Sequence, residues 1–320
     1  MIDWIAEPWR LTFMQHAFIA IILVGVICGV IGSFVILRGL AFMGDALAHA
    51  IFPGVVIAYL FGGSFLIGAL IAAIIVSLGI GAVSQNSRLT NDTAIGVLFV
   101  GGFALGIALI SAQRTYTRDL ATFLVGSILG VSRDDLVLTA GVGAIVLGVL
   151  LVFRREFTIV SFDRVFAQAN GINLWLFDQL FLLLLSLAIV ISLQTVGNIL
   201  VLAMLVTPAA TARLLTDKLR VLATLSAVIG ALSGIAGLYL SYYLSVASGA
   251  AVVLIATALF LLAFLFAPRT GFVTLAIRRR LHFPHPERDL FRGEQARTLE
   301  LERVEGDEPV TSSINHPTAS

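Results

Sequence analysis

Long apolar runs constrain this chain more than any other feature of it. They lie at roughly 14–37, 45–61, 65–83, 93–111, 134–153, 174–193, 197–212, 219–244 and 249–267. A helix rises about 1.5 Å per residue, so about 20 apolar residues cross a hydrocarbon layer of about 30 Å. Inside that layer a single helix can satisfy its own backbone, whereas an open strand cannot. The expectation is an all-α polytopic membrane protein with about nine transmembrane helices, in a range of about eight to ten. The piece "DLATFLVGSILGV" at 119–131 is too short to span and reads as a short re-entrant or interfacial helix. Charged residues make up 12% of the chain, about half the soluble average of about 25%. A net charge of +1 leaves no electrostatic case for nucleic acid. The single cysteine, Cys28, lies in an apolar run and reads as a packing residue. The opening "MIDWIAEPWR" is acidic and aromatic, which argues against a cleaved signal peptide, and Trp4 and Trp9 suit a membrane interface.

Lys and Arg counted over alternate loops set the expected orientation. One set holds Arg38, Arg88, Arg154, Arg155, Arg164, Arg213, Lys218, Arg220, Arg269, Arg278, Arg279 and Arg280; the other holds Arg10, Arg114, Arg118 and Arg133. The first set is therefore expected inside, with the N-terminus outside and the C-terminus cytoplasmic. The transmembrane domain is expected over 1–268. Residues 269–320 are expected as a cytoplasmic tail, largely disordered, because from 281 onward the sequence is polar without a sustained apolar face. His282 and His285 lie in a Pro-containing linker and are not read as metal ligands.

Inside the second run stands "GDALAHA". Asp45 and His49 are four residues apart, so on a helix they share one face. Ala46, Ala48 and Ala50 leave that face uncrowded. Ionisable groups in a spanning segment are costly and tend to mark a substrate path. A carboxylate with a neutral imidazole suits a first-row divalent ion, and the lack of thiolates disfavours Cu+. Two ligands make a weak site, as transport requires; two copies of the helix at a two-fold axis would supply four. The plain structural alternative is an Asp favouring the helix dipole and a His bonded to a carbonyl. Arg38 at the surface would leave Asp45 shallow, unless "RGLAFMG" is a break between half-helices that enters the bilayer.

The stretch "LRGLAFMGDALAHAIFPGVVIAYL" resembles the signature of the metal-ion permease subunits of ABC importers, the manganese/zinc/iron family. "NDTAIGVLFVGGFALGIAL" (91–109), "LVTPAATARLL" (205–215) and "SGAAVVLIATALFLLAF" (248–264) fit the same pattern. Together they cover roughly residues 10–268. "GDALAHA" followed by "IFPG" is similar to the manganese and iron branch rather than the zinc branch. The resemblance implies an ABC importer permease fold of the vitamin B12-importer-like type and a place in a bacterial cell membrane. It implies Mn2+ as transported ion, with zinc or ferrous iron as alternatives, and Asp45 and His49 as metal-contacting residues. It also implies three partners: an ATP-binding cassette ATPase, an extracytoplasmic metal-binding protein and a second copy of the chain.

No GxxxxGK[ST] occurs, so ATP-driven transport would need the ATP on a partner subunit and a docking element here. The candidate is a short helix within 161–171 of "TIVSFDRVFAQANGINLW". Asp163 is placed to cap its start and Gly171 to end it, with Phe162, Phe166 and Ala169 on one side. It resembles the coupling helix of these permeases; an ordinary interfacial loop helix is the alternative. Pro208 lies inside a run, where it kinks a helix and could serve as a hinge, with Thr207 and Thr211 on one face nearby. Gln194 and Asn198 read as entrance-lining or helix-bridging residues and are not assigned to the metal. Two rivals stand beside the permease reading. A secondary metal transporter would leave the docking helix unexplained. An intramembrane metalloprotease would need HExxH, which is absent.

Overall fold

The computed structural model describes residues 6–86, 91–111 and 128–267. All regular structure there is helical: α1 Thr12–Leu37, α2 Met43–Ala50, α3 Phe52–Leu60, α4 Phe65–Asn86, α5 Asn91–Ser111, α6 Arg133–Val152, α7 Arg154–Phe162, α8 Arg164–Ala169, α9 Leu174–Val196, α10 Asn198–Leu215, α11 Leu219–Leu244 and α12 Ser248–Phe266, with 3-10 turns at Pro8–Arg10 and Ile128–Gly130. Eight spans among the described residues are long and apolar enough to cross a membrane, with α2 and α3 together forming one of them. The ninth expected span is α5, whose apolar part, Ile95–Ser111, is shorter. Of the 119–131 piece only its last residues are described. The rest of it, Arg88, Arg114, Arg118 and the 269–320 tail lie outside the described residues.

The helices pack as two sublayers. α1, α6, α9, α10, α11 and α12 enclose the main core, in which Phe18, Ile21, Ile27, Ile31, Leu185, Ile189 and Leu200 are fully buried. α3, α4 and α5 gather a second core around Ile51, Phe52, Val55, Val56 and Ala73. Lipid tails are as apolar as Leu, so close van der Waals contact, rather than water exclusion, holds such helices together. Glycine makes that contact possible where α1 crosses α11. A Cβ on Gly29 would stand 2.8 Å from the Ala227 backbone, and one on Gly25 would stand 2.9 Å from Gly230 and Ala231 backbone atoms. Polar groups link two helices of the core: the Ser77 and Ser186 hydroxyls lie 2.6 Å apart, and Gln179 Nε2 donates to the Ser77 carbonyl at 2.9 Å, tying α4 to α9.

Two polar ends frame the bundle. At one, Arg38, Ser161, Arg164 and Asp178 meet. At the other, Trp9 Nε1 donates to the Tyr239 hydroxyl at 2.8 Å, and Ser132 and Asp135 cap α6 reciprocally. The two ends collect residues from the two sets of loops separated by the charge count.

Candidate functional site

α1 stops at Leu37 because Gly39 takes φ +70°, open to glycine at little cost. Its N–H donates to the Ile36 carbonyl at 3.2 Å and that of Leu40 to Val35 at 2.9 Å, closing the helix end. The chain then turns back into the bundle and starts α2 at Met43.

Packing contacts measure how deep α2 lies. A Cβ on Gly44 would meet Leu205 Cδ2 at 2.6 Å. Leu205 precedes the Arg38-side end of α10, Leu215, by ten residues, or about 15 Å of helix. The His49 ring sits 5.6 Å from Phe99 and 5.1 Å from Phe103. Those phenylalanines lie about 12 and 18 Å along α5 from its Arg38-side end. Both rulers put Asp45 and His49 about midway along the neighbouring helices, although Arg38 precedes Asp45 by only seven residues. "RGLAFMG" is thus an inward-reaching break that carries the chain from Arg38, just past the end of α1, to Asp45 partway along the bundle.

His49 Nε2 lies 3.3 Å from Asp45 Oδ1. Two ligands about 2.1 Å from one divalent ion, at a right angle, are about 3 Å apart. The separation matches the bite of a single ion and equally that of a direct Asp–His contact within the helix. Asp45 is 46% exposed and His49 25%, so they open outward from the described chain. His49 Nδ1 is buried and meets no hydrogen-bond partner among the described residues. No group of three His, Cys, Asp or Glu side chains forms there or elsewhere among those residues. Just beyond His49 the helix is interrupted: Pro53 has no N–H for the His49 carbonyl four residues back, and α2 gives way to α3 at Ile51.

On the Arg38 side, Asp163 adopts extended backbone, φ −145° and ψ 98°, which ends α7 and starts α8. Its Oδ1 accepts from Phe166 N–H at 2.8 Å. Gly171, at φ +74°, closes the far end with its N–H on the Gln168 carbonyl at 3.0 Å. The helical part is Arg164–Ala169, shorter than the expected 161–171, because Phe162 belongs to α7. Ala167 is fully buried; Phe162, Val165, Phe166 and Ala169 are exposed. The result is a short anchored helix with an apolar outer face.

The sequence reading passed over Asp178. Its Oδ1 accepts from Arg38 Nη1 at 2.9 Å and its Oδ2 from Arg164 Nη2 at 2.6 Å. Arg38 Nε also donates to Ser161 Oγ at 3.1 Å, and the guanidinium lies 4.3 Å from the Phe181 ring centre. Burial pulls the Arg38 guanidinium below its usual value, the Asp178 charge pushes it back up, and nearby Arg164 lowers it again. A guanidinium keeps its charge under these conditions. The available signal was the carboxylate of "LWLFDQL", four residues into an apolar helix.

Pro208 lies buried inside α10, and Thr211 Oγ1 donates to the Thr207 carbonyl at 2.7 Å. Gln194 Nε2 donates to Asp135 Oδ1 at 3.0 Å and so bridges α9 and α6 near the Trp9 end.

With this geometry in view, the sequence profile of the ABC 3 transport family matches residues 10–267. The manganese transport system membrane protein MntC of Halalkalibacterium halodurans is 54% identical over 263 residues, 82% of this chain and 90% of that one. A probable iron transport system membrane protein of Haemophilus influenzae is 39% identical over 274 residues, 86% of this chain and 97% of that one. The solved structure of PsaBC from Streptococcus pneumoniae in complex with Fab matches with TM-score 0.76 and 39% identity, covering 86% of this chain and 100% of that chain.

Proposed function

The chain belongs to the ABC 3 transport family, and from that membership we propose that it is the membrane-spanning permease of an ATP-driven importer carrying Mn2+. The observation that carries the proposal is the 3.3 Å approach of His49 Nε2 to Asp45 Oδ1 about midway along the neighbouring helices. A half-exposed carboxylate at that depth is costly against hydrocarbon. This face therefore meets water or another polypeptide, and a second copy of the chain, bringing its own pair, would complete a four-ligand passage. Weak, shared ligation suits an ion that must leave again.

The remaining roles follow the same logic. The Arg-rich end lies in the cytoplasm, with the N-terminus outside and the C-terminus inside. Residues 1–268 form the permease domain and 269–320 a cytoplasmic tail. α8 and its flanks, with Phe162, Asp163, Phe166, Ala169 and Gly171, dock on a separate ATP-binding cassette ATPase, their apolar face entering a groove there. An extracytoplasmic metal-binding protein delivers the ion at the Trp9 end. ATP closes the ATPase pair, α8 moves, and α10 takes up part of the rearrangement at Pro208 as a hinge.

The test is radiolabelled Mn2+ uptake in cells expressing the chain with an ATPase and binding protein, for wild type, Asp45→Ala and His49→Ala at matched protein levels. Both variants are expected to lose at least about tenfold of uptake, on the order of 1.4 kcal/mol or more. Wild-type uptake in both would sink the assignment of the pair. Ferrous iron is the second reading, favoured by the Haemophilus influenzae relative, and zinc the third; competition by either ion in the same assay ranks them.

A further inference from the structure

We infer that Asp178 is the joint through which α8 moves the segment leading to Asp45, with Arg164 as its breakable half and Arg38 as its fixed half. The inference rests on the permease reading above. A carboxylate has two oxygens, and here each belongs to a different moving part: Oδ1 to Arg38, one residue past α1, and Oδ2 to Arg164, the first residue of α8. The two bonds sit in different surroundings. The Arg38 side chain is 8% exposed, held between Ser161, Phe157 and Phe181. Leaving it without its anion would strand a charge in a low-dielectric site. The Arg164 side chain is 55% exposed, so its bond to Asp178 is the weaker of the two and the one that water can replace once α8 has moved.

The space around the joint suits such a motion. A cavity of about 680 Å³ lies between these elements, lined by Arg164 and Gln168 of α8, by Arg38 and Asp178, and by Met43, the first residue of α2. α8 and the start of the ion-facing helix thus border one common space, and a shift of α8 into it approaches Met43. Gly39, at φ +70° with nothing within 4 Å of its would-be Cβ, gives the connecting turn room to follow.

The experiment uses the complete complex of this chain with its ATPase in proteoliposomes, with the binding protein supplied at the extracytoplasmic face. Mn2+ uptake and ATP hydrolysis are measured in the same vesicles for wild type, Arg164→Gln and Arg164→Lys. For Arg164→Gln the account expects at least a fivefold fall in Mn2+ moved per ATP, with the ATPase still co-purifying, and substantial recovery in Arg164→Lys. An unchanged ratio in Arg164→Gln beside a working wild type overturns the joint alone. Loss of ATPase co-purification also overturns it, since Arg164 would then be a docking contact. A wild type that moves neither Mn2+ nor ferrous iron nor zinc overturns the permease reading and this inference with it.

Discussion

The crossing of α1 and α11 and the broken span α2–α3 are built from similar small residues and do opposite things. At the crossing, Gly25, Gly29 and Gly230 bring backbones together until no methyl group fits. In the broken span, Ala46 lies partly open between two polar side chains that stay partly exposed, while Ala48 and Ala50 are buried against neighbouring helices. Small residues that face a neighbouring helix make a rigid frame. A small residue set between a carboxylate and an imidazole, as Ala46 is, leaves their open side uncrowded. The contrast shows that composition alone does not separate scaffold from path; what the small residues face does.

The largest expected effect breaks the scaffold side. Gly29→Leu would drive a side chain into the Ala227 backbone, where overpacking costs about 1–3 kcal/mol or more. Little or no folded protein should survive extraction and size-exclusion chromatography, whereas Asp45→Ala should elute as wild type does. Equal yields of the two variants would erase the distinction between frame and path. A smaller effect sharpens the path side. Pro53→Ala restores the missing donor to the His49 carbonyl and permits one continuous helix. Protein yield should hold or rise while Mn2+ uptake falls about fivefold, on the order of 1 kcal/mol. Undiminished uptake in Pro53→Ala would mean that the break at Ile51 plays no part in presenting His49.

Much of this was legible in the sequence, for identifiable reasons. Apolar runs announce spans because a membrane leaves the backbone few choices, and Asp163 and Gly171 announced the limits of α8 because caps are local chemistry. Asp45 and His49 stood out because i, i+4 spacing is fixed within one helix. The depth of that pair was not legible, since it depends on Gly44 meeting Leu205 and His49 meeting Phe99 and Phe103, contacts between segments far apart in the chain. Asp178 was missed for the same reason: its two partners are 140 and 14 residues away. Gln194 had two readings from sequence, and only its bond to Asp135 on another helix selects the bridge.

The central claim is that Asp45 and His49 serve one ion as a unit. The most direct test is initial-rate Mn2+ uptake by the Asp45→Ala/His49→Ala double variant beside each single variant, at matched protein levels. Residues that act on one ion are strongly non-additive. The account predicts a double variant within about twofold of the worse single variant. Losses that multiply, or a single variant that transports as wild type does, would contradict it.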